Sequence, residues 1–239
     1  MLQKIFFILI AAFAVFVQSV AGFGGTLISM PIGIMLVGIG SAKPVLTFLA
    51  WLTGILMALT GLKHIDWKEF AKMTGVMLIG VLLGIWVFGA VSMKYLLVLY
   101  GAVIVVIGLS KLLGKTQKDP KPLWQWVSLS LAGLMQGMFV SGGSFLVIYA
   151  TSRIKDKQVF RATVNAVWAI LNTVLIISYA LDGMLNKEVL NLSAICIVPT
   201  LLAIWGANAA AKRINQKLFL QITYLVLIAS GAVLLITNL

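Results

Sequence analysis

Long apolar runs separated by short polar loops make up most of the chain. Six uninterrupted apolar segments can be delimited, at about residues 44–62, 71–91, 95–113, 159–181, 189–211 and 218–237. A helix rises about 1.5 Å per residue, so segments of roughly 20 residues match the roughly 30 Å hydrocarbon core of a bilayer. The pattern predicts an all-α polytopic membrane protein.

Two further apolar runs are interrupted by glycines. The run over residues 5–40 breaks at Gly22–Gly25, and the run that leads to Val140 breaks at Ser141–Gly143 before a short apolar piece at 144–152. Adjacent glycines loosen a helix, and a Ser or Thr after them is a good N-cap for a new one. Two broken helices that restart inside the membrane are therefore predicted.

The two breaks are copies of one short motif. The copies are Gln18–Thr26 and Gln136–Ser144, and each begins with Gln and ends in a Gly pair followed by a hydroxyl residue. Their Gly pairs, which start at Gly24 and Gly142, are 118 residues apart (142 minus 24). Such self-similarity indicates an internal duplication. It predicts a first repeat at 1–113, a linker at 114–123 and a second repeat at 124–239.

Each repeat is predicted to hold one Gly-broken, re-entrant hairpin and three transmembrane helices. If both hairpins return to the side on which they began, four of the 18 Lys and Arg residues lie on one side of the membrane and fourteen on the other. If each broken segment crosses the membrane once instead, nine of these residues lie on each side. A single crossing in the first repeat and a hairpin in the second gives fifteen and three, but the two repeats should share one architecture. The positive-inside rule then predicts inverted repeats with both termini extracytoplasmic.

Composition narrows the function classes further. Hydrophobic residues form 62% of the chain and charged residues 10%, which is typical of membrane proteins. The net charge of +12 sits in short loops, so it indicates orientation in the lipid bilayer and no nucleic-acid partner. With one Cys and one His, and no phosphate-binding loop, neither a metal site nor any cofactor is expected.

Sequence motifs resemble one transporter family. They are Gly22-Phe23-Gly24-Gly25 with Pro31, the degenerate repeat at Gly142-Gly143, and Phe160-Arg161-Ala162-Thr163. Together they are similar to the TauE/SafE (TSUP) family. The resemblance implies a plasma (inner) membrane transporter of small sulfur-containing anions such as sulfite or organosulfonates, often an exporter. The chain departs from the family in having two adjacent glycines where three are frequent, and Tyr149 at the place of Pro31.

The residues themselves suggest where an anion would bind. Two helix N-termini that face each other present unpaired N–H groups and partial positive charge. The predicted donors are the backbone and hydroxyl groups of Gly24, Gly25, Thr26, Ser141, Gly142, Gly143 and Ser144. The alternative is close helix packing through small residues.

Polar side chains near the breaks extend the candidate site. Arg161 either pairs with the anion at the cytoplasmic mouth or is a loop-end arginine, and Asn165 and Asn172 share its helical face. Gln18 and Gln136 contact either the substrate or freed backbone carbonyls. Lys43, the counterpart of Arg161, is expected to be a solvated loop lysine.

No Asp or Glu lies well inside a predicted span. A carboxylate proton relay is therefore not expected, and anion export driven by the membrane potential is predicted. The alternatives are an anion channel, a transporter of another small anion (a carboxylate, thiosulfate or sulfate) and a substrate-free membrane scaffold. An enzyme is not expected, and the oligomeric state is not predicted.

Overall fold

The computed structural model describes residues 2–114, 121–210, 225, 228–229 and 231–238. Within these ranges the regular structure is helical, with residues 231–238 continuing the pattern and a short 3-10 turn at Leu62–His64. The α-helices, in chain order, are α1 Leu2–Ala21, α2 Gly25–Val37, α3 Ile39–Thr60, α4 Trp67–Ala90, α5 Met93–Leu113, α6 Pro122–Phe139, α7 Gly143–Arg153, α8 Lys157–Leu181 and α9 Lys187–Ala210. Most of the predicted linker and half of the predicted span at 218–237 lie outside the described residues.

Six of these helices are long and apolar enough to cross a membrane, namely α1, α3, α4, α5, α8 and α9. Helices α2 and α7 have only 13 and 11 residues. At about 1.5 Å per residue, neither reaches across a hydrocarbon core of roughly 30 Å. The prediction of an all-α polytopic membrane protein is confirmed.

Helices α1 and α2 form an antiparallel hairpin. The first residue of α2, Gly25, lies against the Ala14 carbonyl, and Gly33 lies against Phe7 further back along α1. Because α1 residue numbers fall as α2 numbers rise, the chain reverses at the glycine break. Gly25 is required here, since a Cβ would lie 2.8 Å from the carbonyl carbon of Ala14.

Helices α6 and α7 repeat this arrangement. Gly142 lies against the Ala132 carbonyl, and the rings of Tyr149 and Trp126 lie 5.3 Å apart further along both helices. The second Gly-broken segment is therefore also an antiparallel hairpin.

The connection between α2 and α3 differs from the sequence prediction. Gly38, with φ of +74°, ends α2, and α3 begins at the next residue. The stretch around Lys43, which the sequence predicts to be a loop, is therefore helical, because a single glycine with a positive φ makes the turn. Lys43 is 2% exposed, so the expectation of a solvated loop lysine was wrong.

Helix α4 of the first half of the chain packs against helix α6 of the second half through glycines. Gly80 faces Gly133 and Gly84 faces Gly137, so the two helices run in the same direction. A Cβ on Gly80 would lie 2.8 Å from the Leu134 nitrogen. Small residues four apart allow membrane helices to approach this closely.

Helix α8 packs antiparallel to α3 across the middle of the bundle. The Thr47 and Tyr179 hydroxyls lie 3.2 Å apart, and Trp51 Nε1 donates to Thr173 Oγ1 over 2.9 Å. At the other end, Gly61 lies against Ala162. This pairing fixes the face that α8 turns towards the two hairpins.

Candidate functional site

The two glycine breaks meet inside the bundle. A Cβ on Gly143, the first residue of α7, would lie 3.3 Å from the Gly24 nitrogen and 3.4 Å from the Phe23 Cβ. The N-termini of α2 and α7 are therefore neighbours. Each carries unpaired N–H groups and about half a positive charge from the helix dipole, so the space beside them favours an anion.

The breaks turn by left-handed backbone conformations. Gly22 and Gly24 have φ of +85° and +86°, and Val140 takes φ of +55° in the second break. A β-branched residue rarely adopts this conformation, which is strained. Val140 is fully buried, so packing holds the strained turn next to the start of α7.

Neither restarting helix is capped by the side chain of its N-cap residue. The N-caps are Gly24 and Gly142, and the hydroxyl residues Thr26 and Ser144 are the second residues of α2 and α7. The expectation that these hydroxyls are N-caps was wrong, because each helix begins at the second glycine of its pair. The first-turn N–H groups are left without a side-chain acceptor from an N-cap residue.

A small cavity lies beside the two helix starts. Its volume is about 10 Å³, close to what one water molecule needs. Both hairpins, α3 and the middle of α8 contribute to its lining, which consists of Gln18, Phe23, Gly24, Thr26, Ala50, Gln136, Gly143, Trp168 and Asn172. The structure thus brings together Gln18, Gly24, Thr26, Gln136 and Gly143 of the predicted site with Asn172, which was predicted to share the helical face of Arg161.

A chain of amide groups ends in this cavity. The Gly142 N–H donates to Gln136 Oε1 over 3.2 Å, and Gln136 Nε2 donates to Asn172 Oδ1 over 2.8 Å. The Asn172 Nδ2 group is buried and has no hydrogen-bond partner among the described residues. A buried donor without an acceptor is costly. An anion in the cavity would satisfy it.

The first break is held differently. Gln18 Nε2 donates to the Ala50 carbonyl over 3.4 Å, and Trp168 Nε1 donates to the Gly22 carbonyl over 3.2 Å. Trp168 thus satisfies a carbonyl that the break frees.

Two predicted serines point away from the cavity. Ser141 Oγ lies 2.7 Å from the Tyr100 hydroxyl and donates to the Phe139 carbonyl over 2.9 Å. Ser144 lines a separate apolar groove beside α5. Gly25 and Gly142 contact the neighbouring helices of their hairpins, as described above. These four residues shape the breaks without lining the cavity.

Arg161 occupies a second position, near the start of α8. It precedes Asn172 by eleven residues, a rise of about 16 Å. Its Nη2 contacts Met57 Sδ at 3.8 Å, and it lines a cleft of about 360 Å³ together with Lys155 and Lys157. Asn165 is buried beside it and donates to the Arg161 carbonyl over 2.8 Å. The predicted site is therefore divided between a central cavity and a basic cleft.

One carboxylate is more buried than its sequence position indicated. Glu69 lies beside a loop, as expected, but in the first turn of the membrane-capable helix α4, and it is 8% exposed. Its oxygens accept from the Tyr149 hydroxyl over 3.0 Å and from Lys72 Nζ over 2.6 Å. Lys72 neutralises this carboxylate, which does not line the central cavity.

An all-α bundle of membrane-capable helices, with two broken hairpins that meet at buried donors, is typical of membrane transporters. The chain belongs to the TauE/SafE family, described as "Sulfite exporter TauE/SafE", which matches residues 7–234. This is a family of membrane transporters, not of enzymes.

Curated relatives agree with this assignment. The chain is 29% identical over 233 residues to the "Probable sulfite/organosulfonate exporter TauE" of Cupriavidus necator, covering 92% of this chain and 88% of the relative. It is 21% identical over 173 residues to the "Probable inner membrane transporter protein TsaS" of Comamonas testosteroni, covering 71% and 72%. No solved structure matches the chain.

Proposed function

We propose that this protein is a secondary transporter that exports small sulfur-containing anions, such as sulfite or organosulfonates, across the plasma membrane. The observation that carries the proposal is the buried Nδ2 group of Asn172, which has no partner among the described residues and lies beside the starts of α2 and α7. The anion class follows from the relatives, one of which is named as a sulfite/organosulfonate exporter.

The anion lies between the two hairpins in this proposal. The N–H groups of Gly24 and Thr26 at the start of α2 and of Gly143 at the start of α7 face it, and Asn172 donates from α8. Gln136 orients Asn172 by occupying its amide oxygen. A helix N-terminus stabilises a nearby negative charge by about 0.3–1 kcal/mol at exposed sites and by up to about 2 kcal/mol when partly buried. Two such ends therefore hold an anion without any buried cation.

The proposed architecture is a pair of inverted repeats. The antiparallel packing of α3 on α8 supports this, because these helices occupy equivalent places in the two repeats. The contacts of α4 with α6 and of α1 with α9 are likewise equivalent pairs. Midplane sites at the interface of inverted repeats are characteristic of secondary transporters.

The orientation follows from the basic residues. Lys63, Lys68, Arg153, Lys155 and Lys157 lie at the end of the bundle where α3 and α7 end and α4 and α8 begin. Lys4 lies at the opposite end with Glu188, to which it forms a 2.8 Å salt bridge. By the positive-inside rule the first end is cytoplasmic, and both termini are then extracytoplasmic. Arg161 lies at the cytoplasmic mouth.

The proposal is tested by flux into and out of proteoliposomes that contain the purified protein. The anions are sulfite, methanesulfonate, thiosulfate, sulfate and chloride, and a potassium gradient with valinomycin sets the membrane potential. We expect saturable flux of one or more sulfur anions, faster when the anion leaves a compartment that is electrically negative. Protein-free liposomes are the control. Flux of none of these anions would contradict the proposal, and unitary conductance in a planar bilayer would indicate a channel instead.

A further inference from the structure

Lys43 is a buried cation with an unusual environment. It lies in α3, is 2% exposed, and its Nζ lies 3.3 Å from the centre of the Phe88 ring and 5.6 Å from that of Tyr179. Asp182 attracts it electrostatically, but no carboxylate among the described residues forms a salt bridge with it. Aromatic faces only partly replace the hydration that a buried ammonium loses.

The place of Lys43 in the fold relates it to the central cavity. Tyr179 follows Asn172 by seven residues on α8, so both lie on the same helical face, about 10 Å apart along the axis. Arg161 lies on the other side of Asn172 and about 16 Å from it along the same helix. Arg161, Asn172 at the central cavity and Tyr179 therefore follow one another along one face of α8, and Lys43 of α3 lies beside Tyr179.

Aromatic side chains separate Lys43 from the second break. The ring of Phe88 packs edge-on against Phe139 with centroids 6.2 Å apart, and Phe139 is the last residue of α6. Phe139 also stacks on Tyr100 at 4.2 Å, and the Tyr100 hydroxyl bonds to Ser141 in the break. The Phe88 ring thus lies between Lys43 and the aromatic layer that supports the break.

We propose that Lys43 is an anion-binding residue at the end of the transport path opposite Arg161, and that its contact with Phe88 keeps this end closed. The inference rests on the proposed function, because the central site defines the path. An anion that moves from Asn172 towards Tyr179 offers the ammonium a full negative charge. In a medium of low dielectric constant this partner is stronger than the ring of Phe88. Lys43 then leaves Phe88 and the end opens.

A purely structural role for Lys43 predicts a different stability effect. If the Lys43 charge only stabilises the fold, Lys43→Met should lower the thermal midpoint of the purified protein. If the charge is retained for transport, the variant should be as stable or more stable, because Met fills the space without a buried charge. Lys43→Arg keeps the charge and the aromatic contact.

Flux in proteoliposomes provides the functional test. We expect Lys43→Met to transport the best sulfur anion at least about tenfold more slowly, since losing a charge contact at an effective dielectric constant near 20 is worth more than tenfold. Lys43→Arg should restore most of the rate. Anion binding at the central site, measured in detergent, should change less than about threefold in either variant. Full flux through Lys43→Met, or a lowered thermal midpoint that explains its loss, would overturn the proposal.

A labelling experiment keeps the inference separate from the substrate assignment. Tyr179→Cys is introduced into a Cys196→Ala background, and its modification by a thiol reagent carrying a sulfonate is compared with that by a reagent carrying an ammonium group. With Lys43 present, we expect the sulfonate reagent to be favoured at least about fivefold, and Lys43→Met should abolish the preference. This labelling preference can be interpreted even if none of the tested anions is transported. An unchanged preference, or no modification, would overturn the role of Lys43.

Discussion

Replacing Asn172 by Asp tests the central site with a very small change. The substitution exchanges one NH2 group for an oxygen and keeps the oxygen that accepts from Gln136 Nε2 over 2.8 Å. The Gly142–Gln136 part of the hydrogen-bond chain is not altered. What is lost is the buried donor group that has no partner among the described residues, and what is gained is a negative charge.

The expected loss of affinity can be worked out from these two changes. A hydrogen bond to a charged group is worth about 1.5–3 kcal/mol, which corresponds to roughly 10- to 150-fold in the dissociation constant. A second negative charge about 5 Å from the anion adds repulsion of about 3 kcal/mol at an effective dielectric constant near 20. Asn172→Asp should therefore weaken anion binding at neutral pH by at least about tenfold, and by much more if the aspartate is ionised.

The measurement is the dissociation constant of the transported anion, obtained by calorimetry on the detergent-purified protein. Asn165→Ala is the matched control, because Asn165 lies buried on the same helix but donates to the Arg161 carbonyl and does not line the cavity. It should change the dissociation constant less than about threefold. If Asn172→Asp keeps its thermal midpoint without anion and still binds within threefold of the unmodified protein, the central site is refuted.

Three further predictions follow from contacts and charge. On α4, Gly84→Ala should destabilise the protein by about 1–3 kcal/mol, because its Cβ would lie 3.0 Å from the Gly137 Cα. Gly89 faces open space, so Gly89→Ala is the control and should be neutral or stabilising by up to about 1 kcal/mol. Equal shifts of the thermal midpoint in the two variants would contradict the close packing of glycines between α4 and α6. Tyr100→Phe should cost about 0.5–1.5 kcal/mol in unfolding free energy by removing the bond to Ser141. If transport is uncoupled and moves one net charge, each additional 60 mV or so should change the anion ratio at equilibrium tenfold in proteoliposomes, and a ratio that ignores the potential but follows a proton gradient would contradict it.

Hydropathy and glycine pairs could predict much of the fold, because both act locally. A helix inside lipid must be apolar over about 20 residues, and a Gly pair in such a run ends one helix and starts another. Both hairpins and five of the six predicted spans therefore agree with their positions in the sequence. The sixth membrane-capable helix is α1, which was predicted as part of the first hairpin, and the predicted span at 218–237 lies partly outside the described residues. The two copies of the motif also meet in space, which their repetition alone suggested.

The finer composition of the site depends on packing between distant segments. Asn165 and Asn172 are the same residue type on the same face of α8, and only contacts made in the folded bundle distinguish the second, which accepts from Gln136 and lines the cavity. Lys43 precedes a proline and follows Ser41-Ala42, a combination that is typical of a loop. Only Phe88 and Tyr179, from helices far along the chain, reveal that it is buried. No local pattern contains this information.

The size of the central cavity indicates which contact must change during transport. A space of about 10 Å³ accommodates one water, whereas the proposed oxyanion with three oxygens needs more, so we expect α2 and α7 to separate when it binds. Gly143 and Gly24 lie close together, and no backbone hydrogen bond joins α2 to α7 among the described residues. Among the described residues, helix α2 packs along α3 as well as on α1, whereas α7 packs on α6 but has only slight contact with α8, and it borders an apolar groove of about 330 Å³ beside α5. We therefore expect α7 to be the helix that moves.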